Sequence, residues 1–110
     1  MKKMPITTHV LDLVKGKPAT SINVQLHQGD ELLAEGETNE DGRVEDWSQD
    51  FHLVKGKYRL VFDVEPWFSA RGEPNFYEDV QISFRVDDPD QHYHVPLLLS
   101  PFGYSTYRGS

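Results

Sequence analysis

Cysteine is absent from all 110 residues. That excludes disulfides, thiolate nucleophiles and cysteine-built zinc or iron–sulfur sites. It also suits a reducing compartment. Positive charge is in short supply, with 11 Lys and Arg against 18 Asp and Glu and a net charge of −7. Nucleic-acid binders need a basic face, so nucleic acid is excluded as a partner, and the acidic excess is read as keeping the chain in solution. No stretch approaches the roughly 18 to 20 continuous apolar residues of a membrane span, so no membrane partner is expected. The basic opening Met1-Lys2-Lys3-Met4-Pro5 leads into no apolar segment, so no secretory signal is read there. The expected location is the cytoplasm, or the periplasm if a signal segment has been removed from a precursor.

Apolar residues make up 37% of the chain and are spread along it. Their spacing is period two. Ile22, Val24 and Leu26 alternate with polar neighbours, as do Tyr58, Leu60, Phe62 and Val64, and Val80, Ile82, Phe84 and Val86. Such alternation gives strands with one buried face and one wetter face. Turn-forming runs separate them: Gln28-Gly29-Asp30, Asn39-Glu40-Asp41-Gly42, Lys55-Gly56-Lys57, Asp87-Asp88-Pro89-Asp90 and Ser100-Pro101-Phe102-Gly103. The pattern predicts an all-β antiparallel sandwich. One stretch departs from it. In Glu65-Pro66-Trp67-Phe68-Ser69-Ala70-Arg71-Gly72, proline stands near the start and glycine just past the end, which predicts a short helix. With no repeat, linker or low-complexity tract, residues 1–110 are expected to form one domain.

Five histidines are candidates for chemistry: His9, His27, His52, His92 and His94. In the last apolar segment Tyr93, Val95, Leu97 and Leu99 share a face taken as core, which puts His92, His94, Pro96 and Leu98 on the other. Near the start, Val10 is the expected core residue, so His9, Leu11 and Leu13 point outward. An outer face bearing leucines implies contact with another subunit. His92 and His94 have the spacing of a metal pair on a strand, but no third ligand stands at a recognisable spacing, so no metal is expected. A histidine on a strand is by default a surface or packing residue. Arg43, after the Asn39–Gly42 turn, is either a solvated side chain or a clamp for an anion or imide. The end, Tyr104-Ser105-Thr106-Tyr107-Arg108-Gly109-Ser110, reads as a strand running to the last residue, delivering the Ser110 carboxylate to a fixed place.

These residues carry a family resemblance. Thr8-His9-Val10-Leu11-Asp12 with Gly16-Lys17-Pro18-Ala19, then Thr38-Asn39-Glu40-Asp41-Gly42-Arg43, then His92 through Ser110 resemble three ordered blocks of transthyretin-like proteins. The terminal Tyr107-Arg108-Gly109-Ser110 resembles the tetrapeptide that separates 5-hydroxyisourate hydrolases from hormone-carrying transthyretins. The resemblance spans about Pro5 to Ser110 and weakens at Phe76-Tyr77-Glu78-Asp79 and Glu65-Pro66-Trp67-Phe68. It implies a transthyretin-like sandwich of about eight strands with one short helix. It also implies a homotetramer built as a dimer of dimers, with the His9 and His94 face lining the cleft between dimers. The implied activity is hydrolysis of 5-hydroxyisourate in urate degradation, without metal or cofactor. The implied catalytic residues are His9, Arg43, His94 and Ser110, with Tyr107, Arg108, Gly109 and Ser105 binding substrate. Strand parity leaves the roles of the two histidines open, with His9 favoured as the base. A ligand carrier and a structural sandwich are the competing readings.

Overall fold

The alternating segments become strands because their apolar positions can be buried on one side only. A computed structural model describes residues 5–109, in element order β1 (Ile6–Asp12), β2 (Lys17–Pro18), β3 (Asn23–Gln28), β4 (Glu31–Glu37), β5 (Arg43–Val44), β6 (Gly56–Asp63), α1 (Val64–Ala70), β7 (Val80–Val86), β8 (Tyr93–Ser100) and β9 (Gly103–Thr106). One sheet runs β2-β1-β8-β9, with β5 also on β1; the other runs β4-β3-β6-β7. Between them lies one core, in which Val10, Leu26, Leu60, Phe62, Leu97 and Leu99 are each at most 1% exposed. Burying each such side chain contributes about 1.5–3 kcal/mol.

The expected sandwich and helix are both present. Among the described residues, two of the nine strands, β2 and β5, are only two residues long. One pairing departs from the antiparallel expectation: β1 and β8 run parallel, from Ile6 opposite Tyr93 to Asp12 opposite Leu99. Parallel neighbours need a long connection, and the six intervening strands and α1 supply it. In α1 the buried residues Val64, Trp67 and Phe68 follow the i, i+3, i+4 spacing of one apolar stripe. Pro66 falls in the first turn, where no backbone N–H is needed. Gly72, at φ +67°, ends the segment in the left-handed region.

The Asn39–Gly42 turn fixes the position of Arg43. The Asn39 carboxamide oxygen accepts from the backbone N–H of Asp41 (2.9 Å) and of Arg43 (3.1 Å). Gly42 has φ +74°, and a Cβ there would lie 2.4 Å from the Val10 carbonyl oxygen. The turn therefore closes against β1 and seats β5 on it, with Val10 N–H donating to the Gly42 carbonyl at 2.7 Å.

The C-terminal segment departs from the expected unbroken strand. β9 stops at Thr106, and Gly109 then makes an isolated antiparallel bridge to His94. The pairing Leu98–Ser105 and Ser100–Gly103 continues in the same register to His94–Gly109, so Tyr107 stands at the position opposite Pro96. Hydrogen-bonded pairs alternate along an antiparallel ladder, and that position calls for a backbone N–H that proline lacks. The Pro96 carbonyl is met instead by the Thr106 hydroxyl, at 2.7 Å. The ladder breaks at Pro96 and closes again at Gly109.

Candidate active site

His9 lies mid-β1, directly opposite Arg43 on β5 and Pro96 on β8. Two residues back, Thr7 lies opposite His94. Paired residues on adjacent strands share a face, so Thr7, His9, Arg43 and His94 all project from the outer side of this sheet. Leu11 and Leu98, opposite one another one step further along, continue the face, and both are half-buried within a single chain.

The Thr7 hydroxyl ties two histidines together. Its oxygen is 2.8 Å from His94 Nδ1 and 3.0 Å from His92 Nε2. The opposite edge of the His94 ring is set by Gly109. Gly109 N–H donates to the His94 carbonyl at 2.8 Å, and a Cβ on Gly109 would lie 2.5 Å from His94 Cδ2. A side chain at 109 and this ring position are mutually exclusive. The His94 pKa lies below the usual histidine value, chiefly because burial disfavours the charged ring. Arg43, then His92 and His9, add repulsion, while a hydrogen bond to the Thr7 backbone works in the opposite direction. His94 is therefore neutral near pH 7.

The residues singled out from sequence fall into three groups. His9, Arg43 and His94 meet on one face, joined by Gly109. Ser105, opposite Leu98, is on that face further along β9. Tyr107 and Arg108 line a small cleft of about 160 Å³ at the open edge of the sandwich, together with His94, Tyr93 and Phe84. Arg108 has the opposite parity to Gly109: its guanidinium stacks 4.7 Å from the Tyr93 ring centroid and donates to Gln91 Oε1 at 3.0 Å. Ser110 lies outside the described residues. Sequence reasoning passed over Thr7, although its parity with His9 already placed it on the same face. Among the described residues, no group of three or more His, Cys, Asp or Glu is placed to hold a metal.

A two-sheet sandwich of this topology, with a polar histidine–arginine face on the β1–β8 sheet, is the transthyretin-like class of protein. The family model for the HIUase/Transthyretin family matches residues 6–109, and the chain belongs to that family. Over 109 residues it is 46% identical to a probable 5-hydroxyisourate hydrolase of Caenorhabditis elegans, covering 96% of this chain and 81% of the relative. The structure of a 5-hydroxyisourate hydrolase from Klebsiella pneumoniae superposes with a TM-score of 0.86 at 38% identity, covering 96% of this chain and 98% of that one. Sea bream transthyretin in complex with thyroxine superposes with the same TM-score of 0.86 at 31% identity, covering 96% and 94%. The backbone thus fits a hydrolase and a thyroxine-bound transthyretin equally well, and the side chains of the site must discriminate between them.

Proposed function

We propose that this chain is a hydrolase that opens 5-hydroxyisourate at a cyclic amide C–N bond, giving 5-hydroxy-2-oxo-4-ureido-2,5-dihydro-1H-imidazole-5-carboxylate in urate degradation. The observation that carries the reading is the meeting of His94, His9 and Arg43 on one sheet face, where burial and the neighbouring cations hold the His94 pKa below its usual value. Opening the ring needs a proton taken from water, a proton given to the departing ring nitrogen and stabilisation of charge on the attacked carbonyl. A histidine with its lone pair free near pH 7 suits the first task. Being held neutral favours His94 as the base, in place of the His9 preferred from sequence, and His9 then donates to the leaving nitrogen. The Arg43 guanidinium offsets the developing negative charge. A carrier site needs none of these proton transfers, and the similarity to hydrolases at higher sequence identity supports the same reading.

The reading includes a homotetramer assembled as a dimer of dimers, with the His9 face lining the cleft between dimers. Half-buried Leu11 and Leu98 on that face support it, as do the exposed Phe102, Tyr104 and Tyr107 along the β9 edge. It also includes catalysis without a metal or other cofactor, and a role for Ser110 at the site. A residue appended after Ser110 is expected to reduce turnover while the fold survives.

The test is ultraviolet spectroscopy of urate being oxidised by a uricase, which supplies the unstable intermediate in place. Added protein is expected to speed the decay of the intermediate's absorbance in proportion to its concentration, with and without EDTA. Decay at the spontaneous rate would rule out the hydrolase reading, and loss of activity in EDTA would rule out metal independence.

A further inference from the structure

The Thr7 hydroxyl has one hydrogen and two imidazole nitrogens within hydrogen-bond distance, His94 Nδ1 at 2.8 Å and His92 Nε2 at 3.0 Å. Its two lone pairs can accept an N–H from either ring, so where it donates to one histidine it accepts from the other. The two possible arrangements give His94 opposite tautomers, and only one leaves a lone pair where a reacting proton can reach it. The His94 ring is enclosed along its other side: Cγ and Cδ2 face Gly109, at 3.2 and 2.5 Å from where a Cβ would stand. With Nδ1 occupied by Thr7 and Cδ2 by Gly109, Nε2 is the ring nitrogen left for substrate.

We infer that Thr7 is a positioning residue that accepts the His94 Nδ1–H, donates its own hydroxyl hydrogen to His92 Nε2, and so holds the Nε2 lone pair of His94 toward the cleft. This rests on the hydrolase reading for its catalytic consequence, though not for the tautomer itself. Among the described residues, the charged and titratable groups that act on His94 are His9 from β1, Arg43 from β5 and His92 from the segment before β8. None is an acid, so no carboxylate among them orients the ring in the way a buried aspartate does in hydrolase triads. The hydroxyl and the second histidine take that role.

Thr7→Val keeps the shape and strand preference of the side chain while removing the hydroxyl; Thr7→Ser keeps the hydroxyl. Thr7→Val is expected to lower kcat on the order of tenfold, the rate equivalent of one hydrogen bond, with KM little changed. Its acid limb in the pH–rate profile should move to lower pH, because an acceptor for the imidazolium is lost. Thr7→Ser should restore the wild-type profile. His92→Phe removes the acceptor of the hydroxyl hydrogen without touching Thr7, and is expected to shift kcat in the same direction. Histidine ¹⁵N NMR of the wild-type protein, which needs no substrate, should show His94 protonated at Nδ1 in its neutral form. A wild-type protein with no turnover would count against the hydrolase reading alone, leaving NMR to decide the tautomer. A neutral His94 protonated at Nε2, or a Thr7→Val enzyme with wild-type kcat and pH profile, would overturn the inference.

Discussion

Each sheet of this sandwich carries on its outer face a histidine directly opposite an arginine: His9 with Arg43 on one, His27 with Arg59 on the other. The two pairs are alike in residue type and register, yet their surroundings differ. His27 Nε2 lies 3.0 Å from Gln25 Oε1, Gln25 reaches on toward Glu35, and His27 Nδ1 and Arg59 Nε are buried without a hydrogen-bond partner among the described residues. Nearby, a groove is lined by Glu35, Glu37, Asp63 and Asp79, which repels an acidic planar substrate. On the first sheet the pair is joined by a second histidine, a hydroxyl that grips it and a glycine that admits the chain terminus against its ring. A histidine facing an arginine is therefore not a site by itself; the third and fourth members make it one.

The largest expected break in this comparison comes from removing the imidazoles. His9→Ala and His94→Ala should each reduce kcat/KM by at least about a hundredfold, the low end of what an acid–base group contributes, with circular dichroism unchanged. Gly109→Ala should come next. Its methyl would stand 2.5 Å from His94 Cδ2, so either the ring or the terminus must move. A loss of about tenfold or more is expected, since a misplacement of about 1 Å can cost a hundredfold. A smaller and more diagnostic effect lies in pH. His94 sits below its usual value, so kcat/KM should fall with acid through a midpoint below about 6.5, where the base becomes protonated. Folding stability has the same sign. The unfolded chain binds the proton at higher pH than the folded one, so His94 favours unfolding as pH drops below about 6.5, and urea midpoints should decline there. His94→Gln should flatten that decline. The smallest effect is expected on the second sheet, where His27→Ala should leave turnover within about twofold, because His27 pairs with Arg59 on the sheet opposite the proposed site and touches none of its described residues.

Much of this architecture is legible in the residues alone. Period-two spacing identifies Val24, Leu60, Ile82 and Leu97 as core, and proline and glycine bracket the helix at Val64–Ala70. Parity alone puts His9 and His94 on the outer face. What periodicity does not supply is which strands are neighbours. Thr7 and His94 are 87 residues apart and meet only because β1 runs parallel to β8, a pairing no local signal encodes. The same blindness conceals the ladder break at Pro96. The proline is visible in the sequence, but its partner position at Tyr107 is not, so the terminus reads as one continuous strand. Parity places Arg108 on the side away from Ser105 and Gly109, but the Tyr93 ring it stacks on there belongs to another strand and is not foreseen.

The most direct measurement is the rate at which uricase-generated 5-hydroxyisourate decays with equal amounts of the wild-type, His94→Ala and His27→Ala proteins. Wild-type and His27→Ala proteins should accelerate the decay alike, while His94→Ala should fall by at least about a hundredfold. Equal acceleration by all three would show that the β1–β8 face is not where the chemistry happens.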